Sequence, residues 1–212
     1  MEDFEKKVCI SEPEGSSNMD IQIEEEEEKR SKSILELLRK FLDVQQRRAF
    51  AYTRLKRGFD DYMALGGELA YQKLCSEITL EFNDCSKQVL EMESMFVSPE
   101  CRRGDLAGLL KSIQAQEKEK LQLTATIQVL KKSGRPSERV VSHENCRFRE
   151  STGHECMHIQ NITEASGTEE AEADAQYDNA IKEAIKGVQN AVIAINEYLE
   201  EVRYEIASLE AE

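Results

Sequence analysis

Tryptophan is absent from this chain of 212 residues, aromatic residues make up 6% of it, and histidine and proline occur three times each. So few large rings, beside 33% charged residues, point to long solvated helices or coil over a thick globular core. Of the prolines, Pro99 and Pro136 fall where periodic segments start or stop, and Pro13 lies in the polar N-terminal stretch. No apolar run is long enough to cross a bilayer, which excludes a membrane-spanning reading. A secretion signal is missing as well. Glu2, Asp3 and Glu5 stand where a basic n-region would be, and no apolar h-region follows, so the expected compartment is the nucleus or cytoplasm. Basic residues are in deficit, 28 against 42 acidic, for a formal charge of -14. That balance argues against a protein that coats nucleic acid, though it leaves room for a local basic face. The six cysteines are scattered, two of them inside helical patterns, and read as reduced thiols and not as a disulfide framework. Asn161-Ile162-Thr163 fits a glycosylation acceptor, which without secretion is a chance match.

What the chain does have is periodicity. Near the C-terminus Ile181, Ile185, Val188, Val192, Ile195, Leu199, Val202, Ile206 and Leu209 follow one another at alternating steps of four and three, the a/d seam of a heptad repeat. A helix of that extent is roughly 40 Å long and needs partners of similar length. Ala180, Ala184, Ala191 and Ala194 flank the seam, so neighbouring helices can come close. Three further helices are predicted. The first opens at Ser33 as N-cap, with the seam Ile34, Leu38, Phe41, Gln45, Arg48, Tyr52, Leu55, Phe59 and Tyr62, and stops at Gly66-Gly67. The second spans about residues 68–96, with Tyr71, Leu74, Ile78, Phe82, Cys85, Val89, Met92 and Phe96 on one face. The third begins either at Ser98-Pro99-Glu100 or at Gly104-Asp105, carries Leu106, Leu109, Leu110, Ile113, Leu121, Thr124, Ile127 and Leu130, and ends at Ser133-Gly134-Arg135-Pro136.

The organisation that follows is an acidic, disordered tail over 1–32, three helices over 33–132, a disordered linker over 133–167, and a last helix over 168–212 starting at Thr168 or Glu169. The fold class is all-α, an elongated antiparallel four-helix bundle with coiled-coil character. Gln45 and Arg48 interrupt the first seam at the level where Glu117 and Lys120 interrupt the third, which predicts a polar belt across the bundle midway. Such a belt either fixes helix register or opens the middle of the bundle to a partner.

Candidate sites are few. The linker holds His143, Cys146, His154, Cys156 and His158, and alternate residues of an extended segment share a side, so Cys146, His154, Cys156 and His158 are the weak candidates for zinc. Their spacing is not that of paired Cys and His couples, and a polar coil supplies no supporting shell, so no metal or other cofactor is expected. Glu155 and His158 resemble half of a di-iron motif that needs a second copy on core helices, and that reading is rejected. No glycine-rich phosphate loop, nucleophile elbow, carboxylate pair in a cleft or CxxC couple is present, and the expectation is a protein without catalysis.

Charge is segregated. Residues 29–57 hold ten basic residues against Glu36 and Asp43, whereas residues 164–212 hold three basic and thirteen acidic ones. One reading is that the first helix neutralises the last, or the acidic tail, inside the fold. The other is that Arg39, Lys40, Arg47, Arg54, Lys56 and Arg57 meet nucleic-acid phosphate without base-specific readout, with Tyr52 or Phe50 available for stacking.

With the helices placed, four segments resemble the Required for Excision 1-B domain family. They are Phe41-Leu42-Asp43-Val44-Gln45-Gln46-Arg47-Arg48-Ala49 with Tyr52, Gly58 and Tyr62; Glu77-Ile78-Thr79-Leu80-Glu81-Phe82 with Ser86; Gln116-Glu117-Lys118-Glu119-Lys120-Leu121-Gln122-Leu123-Thr124; and Ile195-Asn196-Glu197 with Leu199-Glu200-Glu201-Val202-Arg203-Tyr204-Glu205. The resemblance covers about 34–132 and 177–210 and implies a role in excision repair of damaged DNA, with no catalytic residue to carry over. The expected function is a non-enzymatic repair accessory, a helical scaffold for a repair partner or for DNA backbone through the first helix, as a monomer or a homodimer through the fourth. The alternative is a coiled-coil adaptor that never touches DNA.

Overall fold

A computed structural model describes residues 16–138 and 164–211. Four helices, α1 (Ser16–Leu65), α2 (Glu68–Val97), α3 (Gly104–Ser133) and α4 (Glu164–Ala211), are joined in order, with a single 3-10 turn at Pro136–Glu138. Each packs on the next, and α4 closes back on α1. Ion pairs give the directions: Arg54 of α1 meets Glu77 of α2, Lys132 of α3 meets Glu68 of α2, Arg103 meets Glu205 of α4, and Arg39 meets Glu210. All four neighbouring pairs are therefore antiparallel.

The turns follow from local chemistry. Gly66 and Gly67 take φ of 78° and 89°, a left-handed conformation that side-chain-bearing residues reach only at a cost, and so the chain reverses within two residues. Between α2 and α3 the helix starts at Gly104, the second of the two predicted positions, because Ser98 ends α2 and Arg102 adopts φ 53°, which breaks any helix opening at Pro99.

Two boundaries differ from the sequence reading. α1 starts at Ser16, so Ser33 is an interior residue and not the N-cap, and the helix runs through 16–32 as well. Pro13 and Gly15 are the last breakers before the helix, glutamate is a good helix former, and Glu28 pairs with Lys32 one turn on at 2.6 Å. α4 starts at Glu164, ahead of Thr168, α3 runs through Ser133, and Pro136–Glu138 form the 3-10 turn. The long helices overhang at opposite ends: α1 runs on beyond Arg30, which touches the α2–α3 turn, and α4 beyond Asp174, which touches the 3-10 turn.

The core comes in two clusters. The larger draws on all four helices, including Leu38, Phe41, Val89, Phe96, Leu110, Ile113, Ile195 and Val202. The smaller, Ala51, Leu55, Ile78 and Phe82, is built by α1 and α2, with Leu121 of α3 packed against it. α4 meets this second half with small residues: Ala184 and Ala191 are buried and Gly187 lies against Leu123, whereas Ile185 is 40% exposed. The fourth seam thus holds from Ile195 to Leu209 and rotates by one residue before it, because a Cβ at 187 would come within 2.6 Å of Leu123 and the small flank, not the isoleucine seam, fits that close approach.

Candidate functional site

Between the two clusters lies a belt of polar groups. Gln45, Arg48 and Glu117 are buried, Arg48 to 2% exposure. Arg48 Nη2 donates to Gln114 Oε1 and, at 3.3 Å, to Ser86 Oγ, so one guanidinium on α1 ties α2 to α3. Gln114 Nε2 completes the triangle by donating to the Ser86 carbonyl at 3.4 Å. Lys120 lies 3.4 Å from Glu117 and 3.9 Å above the Tyr52 ring, whose hydroxyl donates to the Glu117 carbonyl. Of the four residues that the interrupted seams single out, the structure brings Arg48, Glu117 and Lys120 together with Tyr52, Ser86 and Gln114, and buries Gln45 about one turn before Arg48. Ser86 and Gln114 escape a sequence reading because their role depends on which turn of α2 faces which turn of α3.

The belt holds two cations and one carboxylate. Burial lowers the Arg48 guanidinium below its ordinary value, with Glu117 opposing, and lowers the Lys120 amine in the same way. Burial, then Glu117, raises the Tyr52 hydroxyl well above the usual tyrosine range. The face of the Tyr52 ring supplies part of the missing negative field to Lys120. Arg48 Nη1 and Gln45 Nε2 have no acceptor among the described protein atoms, so the belt is rich in donors. Burial also raises the Cys85 thiol, in keeping with a packed seam residue.

The basic face of α1 is divided. Arg47 bridges Glu81 and Asp84 of α2 at 2.8 and 2.7 Å, and the bond to Asp84 holds its guanidinium above the ordinary range. Arg54 pairs with Glu77 at 2.9 Å and Arg39 with Glu210 of α4 at 2.7 Å. Three of the six stripe residues thus serve contacts between helices, two of them to α2 and not to α4. Lys40, Lys56 and Arg57 are exposed and have no ion-pair partner among the described residues. Of the two rings proposed for stacking, Tyr52 is turned inward, 4.7 Å from Phe82, while Phe50 is 66% exposed in a groove flanked by Arg47 and Arg54.

The weak zinc candidates Cys146, His154, Cys156 and His158, with His143 and Glu155, lie outside the described residues, as does Asn161. Among the described residues no three His, Cys, Asp or Glu side chains are placed to hold a metal ion, and no helix is long and apolar enough to cross a membrane.

The part of the fold that carries the belt and the basic face, from the second turn of core-facing α1 to the end of α3, is also the part that comparison with known families picks out. Residues 36–131 match the DNA repair REX1-B family. The matched segment includes Arg48, Ser86, Gln114, Glu117 and the cations of α1 from Arg39 onward, and the family description indicates a role in DNA repair. The likeness noted at Ile195–Glu197 and Leu199–Glu205 falls on α4, outside the REX1-B match. No curated protein and no solved structure matches the chain.

Proposed function

We propose that the protein is a non-enzymatic accessory of excision repair in the nucleus, a helical scaffold that presents the outer edge of α1 to DNA backbone or to a repair partner. The observation that carries this reading is the division of α1. Its inner face is consumed by the bundle and the belt, whereas Lys40, Phe50, Lys56 and Arg57 face outward with no carboxylate partner among the described residues. Cations free of internal pairing can exchange bound counterions for phosphate, and an exposed ring offers a stacking surface. Arg39, Arg47 and Arg54 would have to give up interhelical pairs to do the same, so they contribute to stability instead.

A salt titration of labelled DNA, with and without ultraviolet lesions, tests the assignment. Wild-type protein binds at low salt, and Lys40→Gln, Lys56→Gln and Arg57→Gln together weaken it and flatten the dependence of log K on log salt by about one unit for each phosphate that is no longer neutralised. Binding that is absent, or indifferent to these changes, contradicts DNA contact through α1. A second reading, a coiled-coil adaptor whose α4 docks a partner helix or a second copy, draws support from the exposure of Ile185 and Ile193. Affinity capture from damaged and undamaged cells, with Ile185→Glu and Ile193→Glu as the control, separates the two.

A further inference from the structure

Where α1 passes the α2–α3 turn, two arginines are held in an unusual way. Arg30 Nε donates to the Glu100 carbonyl at 3.1 Å and Arg102 Nε to the Pro99 carbonyl at 3.0 Å. Consecutive carbonyls, on residues about 3.8 Å apart along the chain, thus anchor guanidiniums from two different elements, and both side chains line one groove. The Nη atoms of both have no partner among the described residues. Elsewhere Arg39, Arg47, Arg54, Arg103, Arg135 and Arg203 each hold a carboxylate. An arginine fixed through Nε presents its two remaining nitrogens as a preset fork, the geometry that takes two oxygens of one phosphate.

The surroundings suit such a ligand. Lys29 and Lys40 line the same groove of about 910 Å³, together with the hydroxyls of Ser33, Ser94 and Ser98. Three glutamates, Glu26, Glu36 and Glu100, line it too, yet no ion pair among the described residues joins them to the four cations. Arg102 is the one non-glycine residue with positive φ among the described residues, and its amide is held by the Ser98 carbonyl at 2.9 Å. The fork on the turn is therefore fixed by backbone as well as side-chain bonds.

A second, separate groove lies farther along α1 and is lined by Glu81 of α2 as well. Residues 36, 40, 43, 47, 50 and 54 share one helical face, and the last four line this groove of about 470 Å³ beside the exposed Phe50 ring. Lys40 and Phe50 are about 15 Å apart along the axis. We propose that this edge captures the phosphorylated end of a single nucleic-acid strand, with the terminal phosphate between Arg30 and Arg102 and the adjoining bases running toward Phe50. A terminal phosphate has three unesterified oxygens and nearly two charges, where an internal one has two oxygens and one charge, so two forks and two lysines favour the end. The stacking ring farther along the same face favours a nucleic acid over a phosphorylated peptide. The inference rests on the nucleic-acid contact proposed above and moves its anchor to the corner of the bundle.

Fluorescence anisotropy with the full chain tests it, using one short DNA strand with hydroxyl ends, with a 5′-phosphate or with a 3′-phosphate, and a phosphoserine peptide of similar charge. One phosphorylated strand binds at least about tenfold more tightly than the hydroxyl-ended strand. Arg30→Gln or Arg102→Gln removes that advantage, and Arg102→Lys, which keeps the charge but not the fork, reduces it. Phe50→Ala weakens all three strands alike. Circular dichroism melting of each variant shows that the bundle is retained. Equal affinity for the three strands, or an advantage that survives both Gln variants, overturns end capture while leaving contact through Lys56 and Arg57 intact. Failure of every strand to bind overturns both proposals, and tighter binding of the peptide than of any strand overturns the nucleic-acid assignment.

Discussion

Arg48 is the residue on which most of the interior polar contacts converge. It reaches from α1 to Ser86 and Gln114, and its removal leaves Gln114 without its donor and Glu117 with Lys120 alone. Arg48→Ala should lower unfolding stability in urea by about 3–5 kcal/mol, the cost of breaking a buried charged network. Arg48→Met, which refills the volume without a charge, should cost less than about 2 kcal/mol. The position is legible in the sequence as a polar break in an apolar seam, since Gln45 and Arg48 stand where Leu or Ile would. Tyr52 is legible only as a ring on that seam, and its inward orientation depends on Phe82 and Lys120, which lie far away along the chain.

Tyr52 also contributes to the alkaline limit, beside Tyr71 and Cys85, whose groups burial raises as well. Its hydroxyl titrates higher in the folded state than the ordinary value of 10.0, so its contribution is fully present below pH 10.0 and is lost as the pH rises above it. Lys120 acts in the opposite sense. Burial lowers its amine, so the penalty for its charge is relieved as the pH climbs toward the ordinary value of 10.5. Above that value Lys120 no longer offsets the loss, and Tyr52 contributes a fall of up to about 1.4 kcal/mol per pH unit. Tyr52→Phe should remove that share of the slope in urea titrations run between about pH 9 and pH 12. An unchanged slope would mean that the hydroxyl is not buried.

At the scale of elements, the helices show how far pattern alone carries. The ends of α2 are legible to within a residue, because Gly66-Gly67 and Ser98-Pro99 are unambiguous breaks. The start of α1 is not, because a glutamate run resembles a solvated tail unless its i,i+4 lysine and the bond made by Arg30 are known. The rotation of α4 about its axis is hidden for another reason. Whether isoleucine or alanine faces α3 depends on the interhelical distance, and Leu123 opposite Gly187 sets that distance. The basic stripe can be counted in the sequence, but the pairing of Arg47 and Arg54 with α2 requires the register of two helices. The α1–α2 reversal makes a simple test. No heavy atom lies within 4 Å of a Cβ built on Gly67, so Gly67→Ala costs only backbone strain, about 1 kcal/mol, and Gly67→Asn less. Thermal melts of the two variants should give that order.

At the scale of the molecule, the belt separates a half packed by four helices from a half in which α4 offers mainly alanine and glycine. The account stands on α4 being part of the same body as α1 to α3, because the pairs Arg39–Glu210 and Arg103–Glu205 and the larger core all need it there. Native-state hydrogen exchange tests this most directly. Amides around Ile195–Val202 should show protection equal to those around Phe41–Leu55, with both groups opening only in global unfolding. Exchange of the α4 amides at the rate of a fraying helix, while α1 to α3 stay protected, would contradict a single four-helix body.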